Sequence, residues 1–161
     1  TQTSAPDTGL AIEDRSAMAR DLIEVLADTY TLLFKTHVYH WNVVGPLFVP
    51  IHELTEAHYK DLFAAADVIA ERIRSLGHPA PLSLGSLLPK TVVEEEDTAG
   101  LAAEQMVEVL AMDHEKMVKR LRQAAIDAEE VDDLVTTDML TDRLAFHEKA
   151  IWMLRAIIGT A

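Results

Sequence analysis

Two histidines and three carboxylates stand at spacings that could bind metal: His40 beside Trp41, then His52-x-x-x-Glu56, then Asp67-x-x-x-Glu71. Imidazole and carboxylate, with no thiolate among them, suit a first-row metal such as iron, and the anionic oxygens favour the ferric state. At ~100° per residue, His52, Glu56, Asp67 and Glu71 fall at roughly 0°, 40°, 60° and 100°, one narrow face of one helix. The same helix rises ~1.5 Å per residue, so Glu56 and Asp67 stand ~16 Å apart along its axis, against a metal–ligand bond of ~2 Å. One helix cannot close such a site. Positions 52 and 71, and positions 56 and 67, are however symmetric about the midpoint between Asp61 and Leu62. An antiparallel two-fold pairing of this helix with a second copy sets His52 against the mate's Glu71, and Glu56 against the mate's Asp67. The spacing predicts two equivalent metal sites at a homodimer interface, each split between chains.

Glycine and proline mark the elements that must hold these residues. A first helix is expected from Ile12 or Glu13 to about His40, with Ile23, Leu26, Tyr30, Leu33, His37 and His40 on one stripe. Gly45-Pro46 and Pro50 interrupt it, and Pro50 suits the first turn of a second helix. That helix runs to about Leu76, where Gly77-His78-Pro79-Ala80-Pro81 stops it. A third helix is expected over about Leu101–Asp127 and a fourth over about Thr137–Ile158, ending at Gly159. A helix of ~26 residues spans ~39 Å, which about a dozen extended residues can cover. The long stretch from Gly77 to Gly100 can therefore cross the bundle and leave the second and third helices parallel, with Ser86-Leu87-Leu88 forming a short helical turn on the way. The expected organisation is a flexible tail over 1–12, one four-helix-bundle domain over 13–158 and a short tail over 159–161.

Composition agrees with an all-α domain. The chain has 161 residues, 49% of them hydrophobic but only 6% aromatic. No apolar run approaches the ~20 residues of a membrane span. The start lacks the basic and apolar blocks of a signal peptide, and cysteine is absent, so a cytoplasmic setting is expected. None of the seven histidines has a glutamate three residues before it. That excludes the inward-pointing Glu-x-x-His pairs that bundles use to hold two irons inside one subunit.

The segment His40-Trp41-Asn42-Val43-Val44-Gly45-Pro46-Leu47-Phe48, followed by His52-Glu53, Asp67 and Ala70-Glu71-Arg72, closely resembles the Dps mini-ferritins. The resemblance spans roughly Asp14 to Ile158, with its specificity concentrated in residues 37–72. It implies a ferritin-like four-helix bundle with one crossover, assembled into a hollow dodecamer. It implies an inter-subunit ferroxidase centre for two irons, with His40, His52 and Glu56 from one chain and Asp67 and Glu71 from its two-fold mate. Glu56 departs from the family's usual aspartate, the same charge on a longer arm. The implied activity is oxidation of Fe(II), with hydrogen peroxide preferred over dioxygen, and storage of the ferric product, which protects against oxidative damage. Trp41, beside the ligand His40, is a candidate donor to stray radicals. Packing at the dimer interface is its other use.

The net charge of -13 gathers in Glu94-Glu95-Glu96-Asp97, Glu129-Glu130 and Asp132-Asp133. Such runs usually make solvated loops. Near the start of the fourth helix, where shells of this type place acidic three-fold channels, Asp133, Asp138 and Asp142 are candidates for lining a pore that concentrates Fe(II). Helix capping and dipole pairing are the structural alternative for Asp138. DNA binding, the family's namesake property, is not expected through the tails, because residues 1–14 contain no Lys or Arg and the last residues are also without a basic cluster. A DNA-compacting protein with incidental iron uptake is the alternative function. Of the other histidines, His37 is expected buried and hydrogen-bonded, His58 on a different surface, and His78 and His114 exposed, with a place behind the ligands the minor alternative for His147. The methionines, Met106, Met117, Met139 and Met153 among them, read as core filler.

Overall fold

The computed structural model describes residues 5–95 and 99–160. Four long helices carry it: α1 (Ile12–Asn42), α2 (Phe48–Ser75), α4 (Ala103–Glu130) and α5 (Leu134–Ile157), with a short α3 (Leu84–Leu87) running into a 3-10 turn at Leu88–Lys90. No strand occurs among the described residues.

Side-chain pairs along the helices fix their directions. His40 meets His52 and Thr55, while Ser16 meets His78, so α2 runs antiparallel to α1. Lys35 pairs with Asp113 and Arg120 with Glu24 and Asp28, so α4 is antiparallel to α1 as well. Consequently α2 and α4 are parallel. The crossover makes this possible. It starts beside Ser16, gives Thr91 and the Val92 N–H to Asp28, and reaches Lys35, whose ammonium donates to the Glu94 carbonyl at 2.6 Å. It thus travels along α1 from one end of the bundle towards the other, as its length requires. Burial pushes the Asp28 carboxyl up, and the Val92 N–H, the Thr91 hydroxyl and Arg120 pull it back.

Helix ends follow from local chemistry. At the end of α2 the Gly77 N–H bonds to Arg74 O and the His78 N–H to Ile73 O, with Gly77 at φ 88. These are the two bonds of a Schellman stop. The same pair of bonds ends α4, from Asp132 to Glu129 O and from Asp133 to Ala128 O, but here the left-handed residue is Asp132, at φ 59. Asp133 then serves as N-cap of α5, its carboxylate accepting from the Thr136 N–H at 3.0 Å and the Thr136 hydroxyl at 2.6 Å. This cap starts the last helix at Leu134, three residues before the expected Thr137.

The core is aliphatic, built around Leu22, Leu32, Leu62, Ile69, Ile73, Leu110, Met117, Leu121 and Leu140. Met106 is buried too, whereas Met139 and Met153 are half-buried. Several polar groups share this core. The Lys35–Asp113 pair is sealed at 2.8 Å. His58, His114 and His147 are buried together between α2, α4 and α5. The exposed setting expected for His114 is therefore wrong, because its neighbour Asp113 turns to Lys35 and draws the segment inward. His58 lies in the core instead of on a separate surface, and His147 bonds to His114, not to a ligand of the site. His78 is half-buried beside Ser16. Residues 5–11 precede the helix as expected, but Pro6 O accepts from Arg15 at 2.6 Å and Ala5 lies against Gly77, so this end of the tail is held to the bundle. Of the acidic run 94–97, Glu94 and Glu95 are exposed and Glu96 and Asp97 lie outside the described residues.

Candidate metal centre

His40 ends the buried stripe of α1, and His52 lies in the first turns of α2, across the short connection that Gly45 turns. Their rings stack with centroids 3.7 Å apart and planes 16° from parallel. Each Nδ1 donates to the other residue's backbone carbonyl, His40 to His52 O and His52 to His40 O, both at 2.8 Å. A carbonyl can only accept, so both Nδ1 atoms carry the proton and both Nε2 atoms keep a lone pair. This is the tautomer a metal needs, set by the hydrogen bond on the far nitrogen. Thr55 adds its hydroxyl at 3.3 Å from the His40 Nδ1, and Phe48 stacks on the His52 ring at 4.9 Å.

The carboxylates stand on one exposed face of α2. Glu56 is flanked by the Tyr59 hydroxyl at 3.5 Å and Lys60 at 3.4 Å. Asp67 and Glu71 are exposed, and neither carboxylate has a hydrogen bond or ion pair among the described residues. The chain brings His40 and His52 together and places Glu56 one turn along. Asp67 and Glu71 lie further up the same helix. Among the described residues, no three His, Asp or Glu side chains gather within reach of one ion. The donor set fits a metal by type and tautomer, and one chain does not complete it.

An aromatic stack borders the ligands. His37 lies between Trp41 at 4.3 Å and Tyr59 at 4.0 Å, and Tyr59 meets the His40 ring edge-on at 5.1 Å. His37 is thus half-buried by stacking, where a hydrogen-bonded burial had been expected. Thr55, Tyr59 and Phe48 are site residues that sequence reasoning missed. Their signal was available, since each lies three to four positions from His52 or Glu56 on the same helix.

The candidate pore residues separate. Asp138 and Asp142 are exposed on α5, one turn apart. Asp133 is buried, engaged by Thr136 and by Arg72 at 2.7 Å.

A bundle with one long crossover and a metal-type donor set on facing helices defines a ferritin-like protein. The ferritin-like domain model matches residues 20–161. An uncharacterized low temperature-induced protein of Nostoc is 40% identical over 151 residues, 93% of this chain and 84% of the relative. The crystal structure of a Dps protein from Bacillus brevis superposes with a TM-score of 0.87 at 34% identity, covering 91% of this chain and 98% of that one. A Dps protein from Vibrio cholerae, described as a member of a broad superfamily of ferritin-like diiron-carboxylate proteins, superposes with a TM-score of 0.90 at 26% identity, covering 99% and 100%. The chain belongs to the Dps family.

Proposed function

We propose that this protein is an iron-oxidising, iron-storing mini-ferritin whose ferroxidase centre forms between two-fold-related copies. One observation carries the reading. The reciprocal His40–His52 hydrogen bonds leave two imidazole lone pairs ready for metal, while Asp67 and Glu71 stand unpartnered up the same helix. Phe63 supports the two-fold pairing: it falls at roughly 20° on the α2 wheel, amid the carboxylates, yet is 66% exposed. Tyr30, Phe34 and Trp41 are exposed on α1 as well, and Tyr30 and Phe34 line a hollow of about 430 Å³ together with Leu84 and Leu88. Apolar surface of this extent calls for a cover, and a second copy supplies one.

In the dimer, His40, His52 and Glu56 of one chain face Asp67 and Glu71 of its mate. The substrate is Fe(II), two ions per site. Each gives one electron to hydrogen peroxide, so two Fe(II), one peroxide and two protons yield two Fe(III) and two waters. The carboxylates stabilise the ferric charge. The product mineralises inside a hollow dodecamer that Fe(II) enters past Asp138 and Asp142, where negative charge raises its local concentration. Asp133, committed to its cap, is left out of this pore. Trp41, 57% exposed and stacked on His37, is placed to give an electron to a stray radical.

The test is Fe(II) oxidation by stoichiometric peroxide, followed optically. Glu71→Ala and His52→Ala should each abolish fast oxidation. Co-assembled, the two variants should recover roughly a quarter of wild-type activity, because half the dimers are mixed and each mixed dimer has one intact site. No recovery would refute the split site, and equally slow traces in wild type and variants would refute the ferroxidase.

A further inference from the structure

Away from the metal face, His114 on α4 and His147 on α5 are fully buried, and their Nδ1 atoms stand 2.7 Å apart. Two Nδ1 atoms bond only if one carries a proton and the other a lone pair, so the rings are opposite tautomers. The Nε2 atoms of both are buried with no hydrogen-bond partner among the described residues. The neighbouring carboxylates are already committed. From α2 come His58, whose ring is 5.6 Å from that of His114, and Asp61. From α5 comes Arg143, which donates to Asp61 at 2.6 Å and lies over the Phe146 ring at 4.6 Å. On the α1 side, Lys35 and Asp113 pair with each other. Among the described residues, no carboxylate is left to balance a charge on either imidazole.

We propose that the His114–His147 pair is an acid-sensitive latch between α4 and α5, closed while the pair is neutral and opened when it takes up its second proton. A first proton goes to the free Nε2 of the donor ring and leaves the N–H···N bond intact, at the cost of a buried charge near Arg143. The second must occupy the accepting Nδ1. Two N–H groups then face each other at the distance of one hydrogen bond, and the pair separates. Burial, and then the like charges of His58 and Arg143, hold both imidazoles well below the ordinary histidine value, His114 at about 3, and the His114 ring lowers His147 further. In the opened state they titrate near 6.5. The latch is therefore at full strength above about 6.5 and weakens as pH falls, since the opened pair binds protons that the closed pair refuses. Two linked protons raise the opening equilibrium about 100-fold per pH unit within this window.

The experiment uses the assembled, iron-free protein, taken from neutral to mildly acidic pH. Circular dichroism reports the helices, and hydrogen–deuterium exchange at the histidine C2 positions, read by mass spectrometry, reports the protonation of each ring. In the wild type, the two rings should not both become protonated before the helices loosen. The double variant His114→Leu/His147→Leu removes both partners at similar volume and leaves no orphan. It should loosen at lower pH, with a dependence about 100-fold shallower per pH unit. Opening of the double variant at the wild-type pH with the wild-type steepness would overturn the latch. So would protonation of both rings near their ordinary value with the bundle intact. Should the double variant fail to fold, the exchange measurement on the wild type decides alone.

Discussion

His40 and His52 hold each other in register through two reciprocal 2.8 Å bonds, so both Nε2 lone pairs are set within a single chain. Asp133 works in a comparable way on the opposite side of α2. It caps α5 and receives Arg72, tying the start of the last helix to the end of the second. Asp133→Ala removes the cap and takes the carboxylate from a mostly buried guanidinium, which keeps only its bond to Thr136, and should cost about 2–4 kcal/mol. The check is a lower denaturant midpoint with oxidation rate per folded protein unchanged. The donor types were legible in the sequence because a side chain's donor atoms are fixed by its identity. Burial was not. Asp113-His114 looks like a polar surface pair, and only the position of Lys35 on another helix shows that both residues lie inside.

At the scale of elements, the stops are chemical. Gly77 and Asp132 occupy equivalent left-handed positions after α2 and α4. Asp132→Gly relieves the Cβ of an L-residue there and should stabilise the protein by about 0.5–1 kcal/mol, read as a raised denaturant midpoint. Gly77→Ala should do the reverse and more. Its Cβ would meet the Ala5 Cβ at 2.7 Å in addition to the backbone strain, whereas Gly45, also at positive φ, has open space around it. A loss of about 1–2 kcal/mol at position 77, exceeding that of Gly45→Ala, is expected. Four helices, the crossover and its short helical turn were visible in the Gly and Pro punctuation and the apolar spacing. The start of α5 was missed because its cap belongs to the preceding turn, where Asp132-Asp133 reads as a solvated acidic pair.

The proposed two-fold pairing covers one exposed face of the whole molecule. Phe63 sits at its centre, and in that pairing Phe63→Arg sets a charge against Lys60 of the mate. It should leave helix content unchanged, shift the assembly to smaller species in light scattering and remove fast iron oxidation. The charge of -13 opposes phosphate binding, so duplex DNA should show no mobility shift even at low salt. A shift that disappears steeply with added salt would bring the nucleoid reading back. Among the described residues no helix is long and apolar enough to cross a membrane. The sequence by itself determined the donor types and their order on α2, on which the proposed two-fold pairing rests, because identity and helical period are local properties. Tertiary structure alone decided which imidazole nitrogen is free, that Asp133 is a cap and that three histidines meet in the core. Each of these depends on a contact between residues far apart in the chain, and such contacts exist only once the helices have packed.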